Sequence, residues 1–283
     1  MMTPRNVADS PIVLIRGAGE QASGVGWALH KAGFRVVMTE IAQPLMVRWP
    51  VCFGTAILEG SWEVEGIQGI HLDSPLECPR VWQQGKIPIL VDPDLKHLPQ
   101  IRPDVLVDAI MAKRNLGTTI DWAPLTIGMG PGFCAGKDVH KVLETMRGHN
   151  LGRLLNSGYG EPNTGIPEAV MGYTKERVLY APVAGIFEAK RRIGEEVRAG
   201  DILGLIHQGE QATPVQGNLS GVVRGLLRSG TTIVMDESSD VRIKVGDIDP
   251  RFIEEYCWTV SDKARTLGTS VLLGIIEWMN GGK

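Results

Sequence analysis

Along the first half of the chain, short apolar runs alternate with stretches in which apolar positions return every three or four residues. The runs predict strands near Ile12 to Ile15, Val36 to Thr39, Gly69 to Leu72, Ile87 to Val91, Val105 to Ile110 and Leu125 to Met129. The periodic stretches predict helices over Glu20 to Lys31, Leu76 to Gln84 and Asp138 to Arg147. Strands alternating with helices imply a mostly parallel sheet covered on both faces. From about Val178 the helical period disappears and short β runs broken by glycine take over, until Ser261 caps a last apolar-faced helix over Asp262 to Met279. The expected division is 1–177, 178–250 and 251–283: an α/β domain, a β-rich module and a C-terminal helical segment.

The start of the pattern adds chemistry. The strand Ile12-Val13-Leu14-Ile15 breaks into Gly17-Ala18-Gly19, opens a helix, and returns as a second strand ending in Glu40. This is the sequence form of a dinucleotide-binding βαβ unit, so the first domain is expected to be Rossmann-like. Gly17 would turn the backbone off the strand, Gly19 would let a pyrophosphate approach, and Ala22 fills the third small-residue slot. The phosphates would face the positive end of the helix. Glu40 would accept from a ribose 2′-hydroxyl, and the absence of an arginine beside it favours NAD over NADP.

In such sheets ligands bind beyond the carboxyl ends of the strands. There the chain places Asp108, Lys113, Arg114 and Asn115 after one strand, and Gly130-Pro131-Gly132, Cys134, Asp138 and His140 after another. His149 follows in Arg147-Gly148-His149-Asn150. Asp108, Gly130 and Gly132 are therefore expected to help hold the cofactor, Lys113 to hold an anion, and His149 to move a proton. Cys134 stands before a predicted helix, whose N-terminus would favour a reactive thiolate. Asp262, Lys263 and Arg265 read as surface charges.

In the β-rich part, Tyr180-Ala181-Pro182-Val183-Ala184-Gly185 and Gly194-Glu195-Glu196-Val197-Arg198-Ala199-Gly200-Asp201 have a fainter echo over 213–233. Two such half-units would bury their apolar faces against each other. The pattern resembles the barrel-sandwich hybrid of biotinyl and lipoyl carrier domains. Those carry the prosthetic group on a hairpin lysine, whereas this chain has Ile206-His207-Gln208-Gly209-Glu210-Gln211 at that place. A docking or structural role is the expectation there.

The 283 residues are enough for a sizeable core. A formal net charge of -3 argues against nucleic acid as a partner. No apolar run approaches bilayer length, and Met1-Met2-Thr3-Pro4-Arg5 lacks a signal-peptide core, so a cytoplasmic location is expected. Cys52, Cys78, Cys134 and Cys257 form no C-x-x-C pair, and no metal site is assigned.

Gly17-Ala18-Gly19, the run Val105 to Asn115, Gly130-Pro131-Gly132-Phe133, Arg147-Gly148-His149-Asn150-Leu151-Gly152-Arg153, Lys244-Val245-Gly246-Asp247-Ile248-Asp249-Pro250-Arg251 and Ser261-Asp262-Lys263-Ala264-Arg265 together resemble the YqeB-type family. Its proteins are regarded as accessory factors of selenium-dependent molybdenum hydroxylases, enzymes related to xanthine dehydrogenase. The stretch Val234 to Val241 departs from that family, which has a glycine-bearing strand connection there. The resemblance implies a maturation role for a molybdenum hydroxylase client, handling the molybdenum cofactor or the labile selenium; joined to the glycine turn, the expectation is a factor that binds a dinucleotide, either NAD or the dinucleotide form of the molybdenum cofactor. It leaves room for a homo-oligomer. The alternative is an NAD-dependent oxidoreductase using His149 and Lys113; whether any reaction is catalysed stays open at this point.

Overall fold

The computed structural model describes residues 10–235 and 242–281. The expectations for Met1 to Arg5, and for the Asp236 to Val241 part of the irregular stretch, lie outside these residues. The chain divides into two compact units. One holds the described residues of Met1–Pro44, Cys52–Thr164 and Val260–Lys283; the other holds Leu45–Val51 and those of Gly165–Thr259. The terminal helix thus belongs to the first unit instead of forming a segment of its own.

Unit 1 is a mixed α/β structure. Its strands are β1 (Ile12–Arg16), β2 (Arg35–Glu40), β3 (Ser61–Val64), β4 (Ile67–Leu72), β5 (Ile87–Val91), β6 (Val105–Asp108), β7 (Leu125–Met129), β8 (Cys134–Ala135), β9 (Lys141–Leu143), β10 (Leu154–Leu155) and β11 (Gly158–Tyr159). Nine of them form one sheet in the order β10-β9-β7-β6-β1-β2-β5-β4-β3. Its central pairings are parallel, and the two edge pairings, β3 with β4 and β9 with β10, are antiparallel. From β1 the chain passes to β2, jumps to the edge strand β3, comes back inward through β4 to β5 beside β2, and then crosses to the other side of β1 as β6. The direction of winding therefore reverses between β1 and β6.

Alternation along β1 sends Val13 and Ile15 to one face and Leu14 to the other, and each face has its own apolar core. Helices α1 (Glu20–Lys31) and α5 (Asp262–Met279) cover the first face. The short helices α2 (Ala56–Glu59), α3 (Cys78–Gln83) and α4 (Leu98–Ile101) complete the unit, α3 and α4 lying on the second face. Ser261 caps α5, its hydroxyl accepting from the Ala264 amide at 3.3 Å. Glycine and alanine make the α1–α5 crossing close. A Cβ on Gly24 would lie 2.6 Å from the Ala264 side chain, and one on Gly268 would lie 2.5 Å from the Gly24 carbonyl oxygen.

The predicted helix over Asp138 to Arg147 is absent. Lys141–Leu143 is instead a buried strand paired in parallel with β7. The Asp138 carboxylate accepts from the Cys134 amide at 2.9 Å, closing a turn where a helix was expected to begin. A short run such as Val139-His140-Lys141-Val142-Leu143 fits either period, and the open edge of β7 decides it.

Unit 2 contains β12 (Val178–Tyr180), β13 (Gly185–Ala189), β14 (Glu196–Val197), β15 (Ile202–Gln208), β16 (Gln211–Gln216), β17 (Gly221–Leu226), β18 (Thr232–Ile233) and β19 (Lys244–Asp249). These make two antiparallel four-stranded sheets, β12-β19-β17-β14 and β16-β15-β13-β18. Their shared core includes Phe187, Leu203, Ile206, Val223, Val245 and Ile248. The segment Leu45–Val51 joins it, the Val47 carbonyl accepting from Leu226 N at 2.8 Å. The β15–β16 turn carries Gly209 at a φ of 61° and no lysine. Among the described residues no helix is long and apolar enough to cross a membrane.

Candidate functional site

The predicted site residues stand at or beyond the exits of β1, β2, β6, β7 and β9. At the first of these, Gly17 turns the chain at a φ of 106°, and a Cβ there would lie 3.1 Å from the Ala109 backbone. The glycine is required by the neighbouring strand's exit whether or not a ligand binds. Gly19 is the N-cap of α1 with open space where a Cβ would stand. Ala22 is 1% exposed and belongs to the core.

The turn is largely satisfied from within. Glu40 folds back so that one carboxylate oxygen accepts from the Ala18 amide at 2.9 Å and the other from the Ile41 amide at 2.9 Å. The Ala18 carbonyl accepts from Gly54 N at 2.9 Å and from the Ser23 hydroxyl at 3.1 Å. Glu40 therefore holds the turn instead of waiting for a ribose.

Burial pushes the Glu40 carboxyl above its ordinary value of 4.5, against the pull of its two amide donors. A folded state that holds this proton more tightly than the unfolded chain must lose stability as pH rises through the interval above 4.5, with the full cost present beyond the raised value. The wild type should thus be stabilised relative to Glu40→Gln more at pH 4 than at pH 7. Urea unfolding of both proteins at the two pH values checks this, and a pH-independent difference would contradict it.

At the switch between β1 and β6, Arg16 and Asp108 stand in register and pair at 3.2 Å. Both are buried, Asp108 completely. The Thr118 hydroxyl donates to the same carboxylate oxygen at 2.5 Å, and Arg16 donates further to Thr118, Leu116 and Pro93. Asn115 spans the Thr118 backbone from both ends, at 2.8 Å each. Asp108, expected to face a cofactor, is instead enclosed by its own ion pair.

Lys113 and Arg114 lie beyond it, exposed on the β6 exit. Neither enters an ion pair among the described residues. Their backbone is strained: Met111 and Lys113 have φ of 58° and 62°, the left-handed region that favours glycine. The β7 exit fits against this loop. A Cβ on Gly132 would lie 2.5 Å from the Arg114 backbone, and one on Gly130 2.8 Å from the Thr145 hydroxyl.

Cys134 is half-buried in β8, its amide bound to Asp138, and since no helix follows it the expected helix-dipole activation has no source here. His149 is exposed in the loop after β9. Arg147 and Asp262, read as loop and surface charges, form a two-bond ion pair at 2.6 and 2.8 Å. Arg265, likewise taken for a surface charge, pairs with Glu65.

Two polar groups escaped the sequence reading. Arg16 ends an apolar strand, with no local signal of its partner ninety-two residues away. Glu144 is 2% exposed and accepts from the Met146 and Glu161 amides at 2.6 Å each, fixing the β9 exit.

An open cavity of about 660 Å³ lies at the opposite, amino edge of the sheet, lined in part by Asp104, Asp121, Trp122 and His140. Its polar groups serve the strand starts. Asp104 accepts from Ile12 N at 2.8 Å, and His140 Nδ1 lies 2.8 Å from the Thr126 hydroxyl. Burial lowers the His140 pKa, with the Asp121 charge acting the other way.

No family model matches the chain. The chain is 43% identical over 282 residues to "Uncharacterized protein YqeB" of Escherichia coli (strain K12), a match that takes in the whole chain but 50% of the relative. The chain thus spans about half the length of the curated relative it matches. Among solved structures it is similar to a succinylglutamate desuccinylase/aspartoacylase from Rhodobacter sphaeroides (16% identity, 84% and 85% of the two chains, TM-score 0.27). It is also similar to an aspartoacylase family protein from Mesorhizobium loti (13%, 85% and 86%, TM-score 0.27). A third is the product-bound ectoine utilization protein EutE (DoeB) from Ruegeria pomeroyi (10%, 84% and 85%, TM-score 0.26).

These findings correct two expectations. Neither molybdenum hydroxylase maturation nor NAD-dependent oxidoreduction is borne by the name of any of these proteins, and both readings are withdrawn. The name YqeB carries no printed link to molybdenum enzymes. What the sequence comparison supports is a YqeB-type kinship, extending over the whole of this chain and half of its relative.

Proposed function

We propose that unit 1 binds a small anionic metabolite beyond the carboxyl ends of β6 and β7, with Lys113 and Arg114 as the charged contacts. The supporting observation is the strained β6 exit, which two left-handed non-glycine residues shape and which Gly132 receives. Backbone strain of this kind costs on the order of 1–3 kcal/mol per residue and collects where a binding geometry is held ready. Two neighbouring cations without ion-pair partners among the described residues lie on it, outside the strand ends where ligands of such sheets bind. The bland alternative, two solvated surface charges, accounts for the exposure but not for the strain.

In the same reading, the parallel strand order supports a doubly wound, Rossmann-like sheet stripped of the dinucleotide role. The paired four-stranded sheets of unit 2 support a barrel-sandwich-like module.

Calorimetric titration of the full chain with inorganic phosphate and with citrate tests the site. Saturable binding of one of them is expected, weakened about tenfold or more in Lys113→Ala/Arg114→Ala, since charge-assisted bonds are the strong ones. That variant keeps the backbone and loses only exposed charge, so its thermal unfolding should match the wild type. Equal binding by both proteins, or binding of neither anion, would remove the proposal.

A further inference from the structure

Unit 2 contains a cavity of about 350 Å³ lined by its own residues. Its apolar walls are Trp49, Trp258, Ile193 and Leu227, and its lining also includes Arg192 and Arg228. Trp49 packs against the apolar core of the unit. Trp258 is 45% exposed, so a large apolar ring is left facing solvent at the rim. Trp49 lies under the Arg228 guanidinium, 5.0 Å from its ring centre.

The charged residues of the lining itself are all of one sign. No carboxylate is among the lining residues, whereas three arginines are. Arg191 is spent on Glu195 at 2.8 Å and Asp201 at 3.6 Å. Arg192 is exposed, and its guanidinium makes no hydrogen bond or ion pair among the described residues. Beside the cavity, Glu195 also accepts from the Arg192 backbone N at 3.0 Å, and Glu254 accepts from the Trp258 indole N–H at 3.4 Å.

We propose that this cavity is a binding site for a planar aromatic carboxylate. Its ring would lie against the two indoles, and its charge would meet Arg192 at the mouth, with Arg228 adding to the positive field from behind Trp49. The volume falls at the lower end of the range for small-molecule pockets, which suits one or two fused rings and not a larger cofactor. Guanidinium groups bind carboxylates in a flat, two-bond geometry and stack on aromatic faces, so both parts of the ligand are met by the side chains present. This site is independent of the anion site proposed for unit 1.

The test is calorimetric titration of the full chain with 2-naphthoate and with the neutral 2-naphthamide, which has the same ring. The acid is expected to bind saturably and the amide about tenfold more weakly, because only the acid can use the guanidinium charge. Arg192→Ala should weaken the acid about five- to tenfold and leave the amide unchanged. Trp258→Ala should weaken both about tenfold through loss of the ring contact. Trp258→Phe should retain most of the affinity, which separates a lost ring contact from a damaged fold. Equal affinity for acid and amide, no saturable binding of the acid, or an Arg192→Ala variant that binds the acid like the wild type would each overturn the proposal.

Discussion

Replacing Arg16 by methionine should destabilise unit 1 by about 3–5 kcal/mol, the typical cost of removing one member of a buried ion pair. Methionine fills most of the volume but leaves the fully buried Asp108 carboxylate with only the Thr118 hydroxyl and a long bond from Ile110 N at 3.3 Å. It also frees the Pro93 and Leu116 carbonyls that Arg16 ties to the sheet. Asp108→Leu should cost a similar amount for the opposite reason, leaving a buried guanidinium without its counter-charge. In the double variant neither charge remains, so its loss should be no larger than that of a single variant. Hydrogen exchange of the β1 and β6 amides reads this in unit 1 alone; two single losses that simply add would show that the pair is not a coupled unit.

Gly24→Leu should cost about 3 kcal/mol or more, at or beyond the upper end of overpacking penalties. The first added carbon would already lie 2.6 Å from both the side chain and the carbonyl oxygen of Ala264, and backbone cannot swing aside as a long side chain can. Gly268 meets the Gly24 carbonyl from the other helix, so α5 has to move off α1 as a body. Such a shift would expose Val271 and Ile275, both fully buried. Thermal unfolding should show the loss in Gly24→Leu and a smaller one in Gly24→Ala. A leucine variant as stable as the wild type would mean that the close crossing does not exist in solution.

These two sites show where reading from sequence stops. Strand–turn–helix around Gly17 was legible because each element announces itself within a few residues: an apolar run, a glycine, a periodic face. Helix α5 was legible for the same reason, down to its Ser261 cap. The hairpin of β3 and β4 was overlooked although its signal is local. Trp62 and Val64 precede a Glu65-Gly66 turn, both at positive φ, and Ile67 follows. A turn with φ positive at both residues usually shows asparagine or aspartate before the glycine, and glutamate disguised it.

The candidate chemistry was less legible than the elements. The acid at the end of β2 was recognised as a hydrogen-bond acceptor, which Glu40 is, but its donors proved to be the protein's own amides. The charge at the end of β6 was noticed and its partner was not, since Arg16 lies at the end of another strand. Left-handed Met111 and Lys113 carry no sequence mark at all, because neither residue type favours that conformation.

The amino-acid sequence by itself determined the kind and place of the longer elements, the alternation that gives the large sheet two buried faces, and the change from helical to β texture at about Val178. All of these follow from the spacing of apolar side chains and from glycine, proline and cap residues, which act over a few positions. Only the tertiary structure decided that the run at Lys141 is a strand, that Glu40 and Asp108 are spent inside the protein, and that Gly24 and Gly268 seat one helix on another. In each case the deciding partner is distant along the chain, and an open strand edge, a buried counter-charge or a facing backbone exerts its pull only after the fold has brought it near.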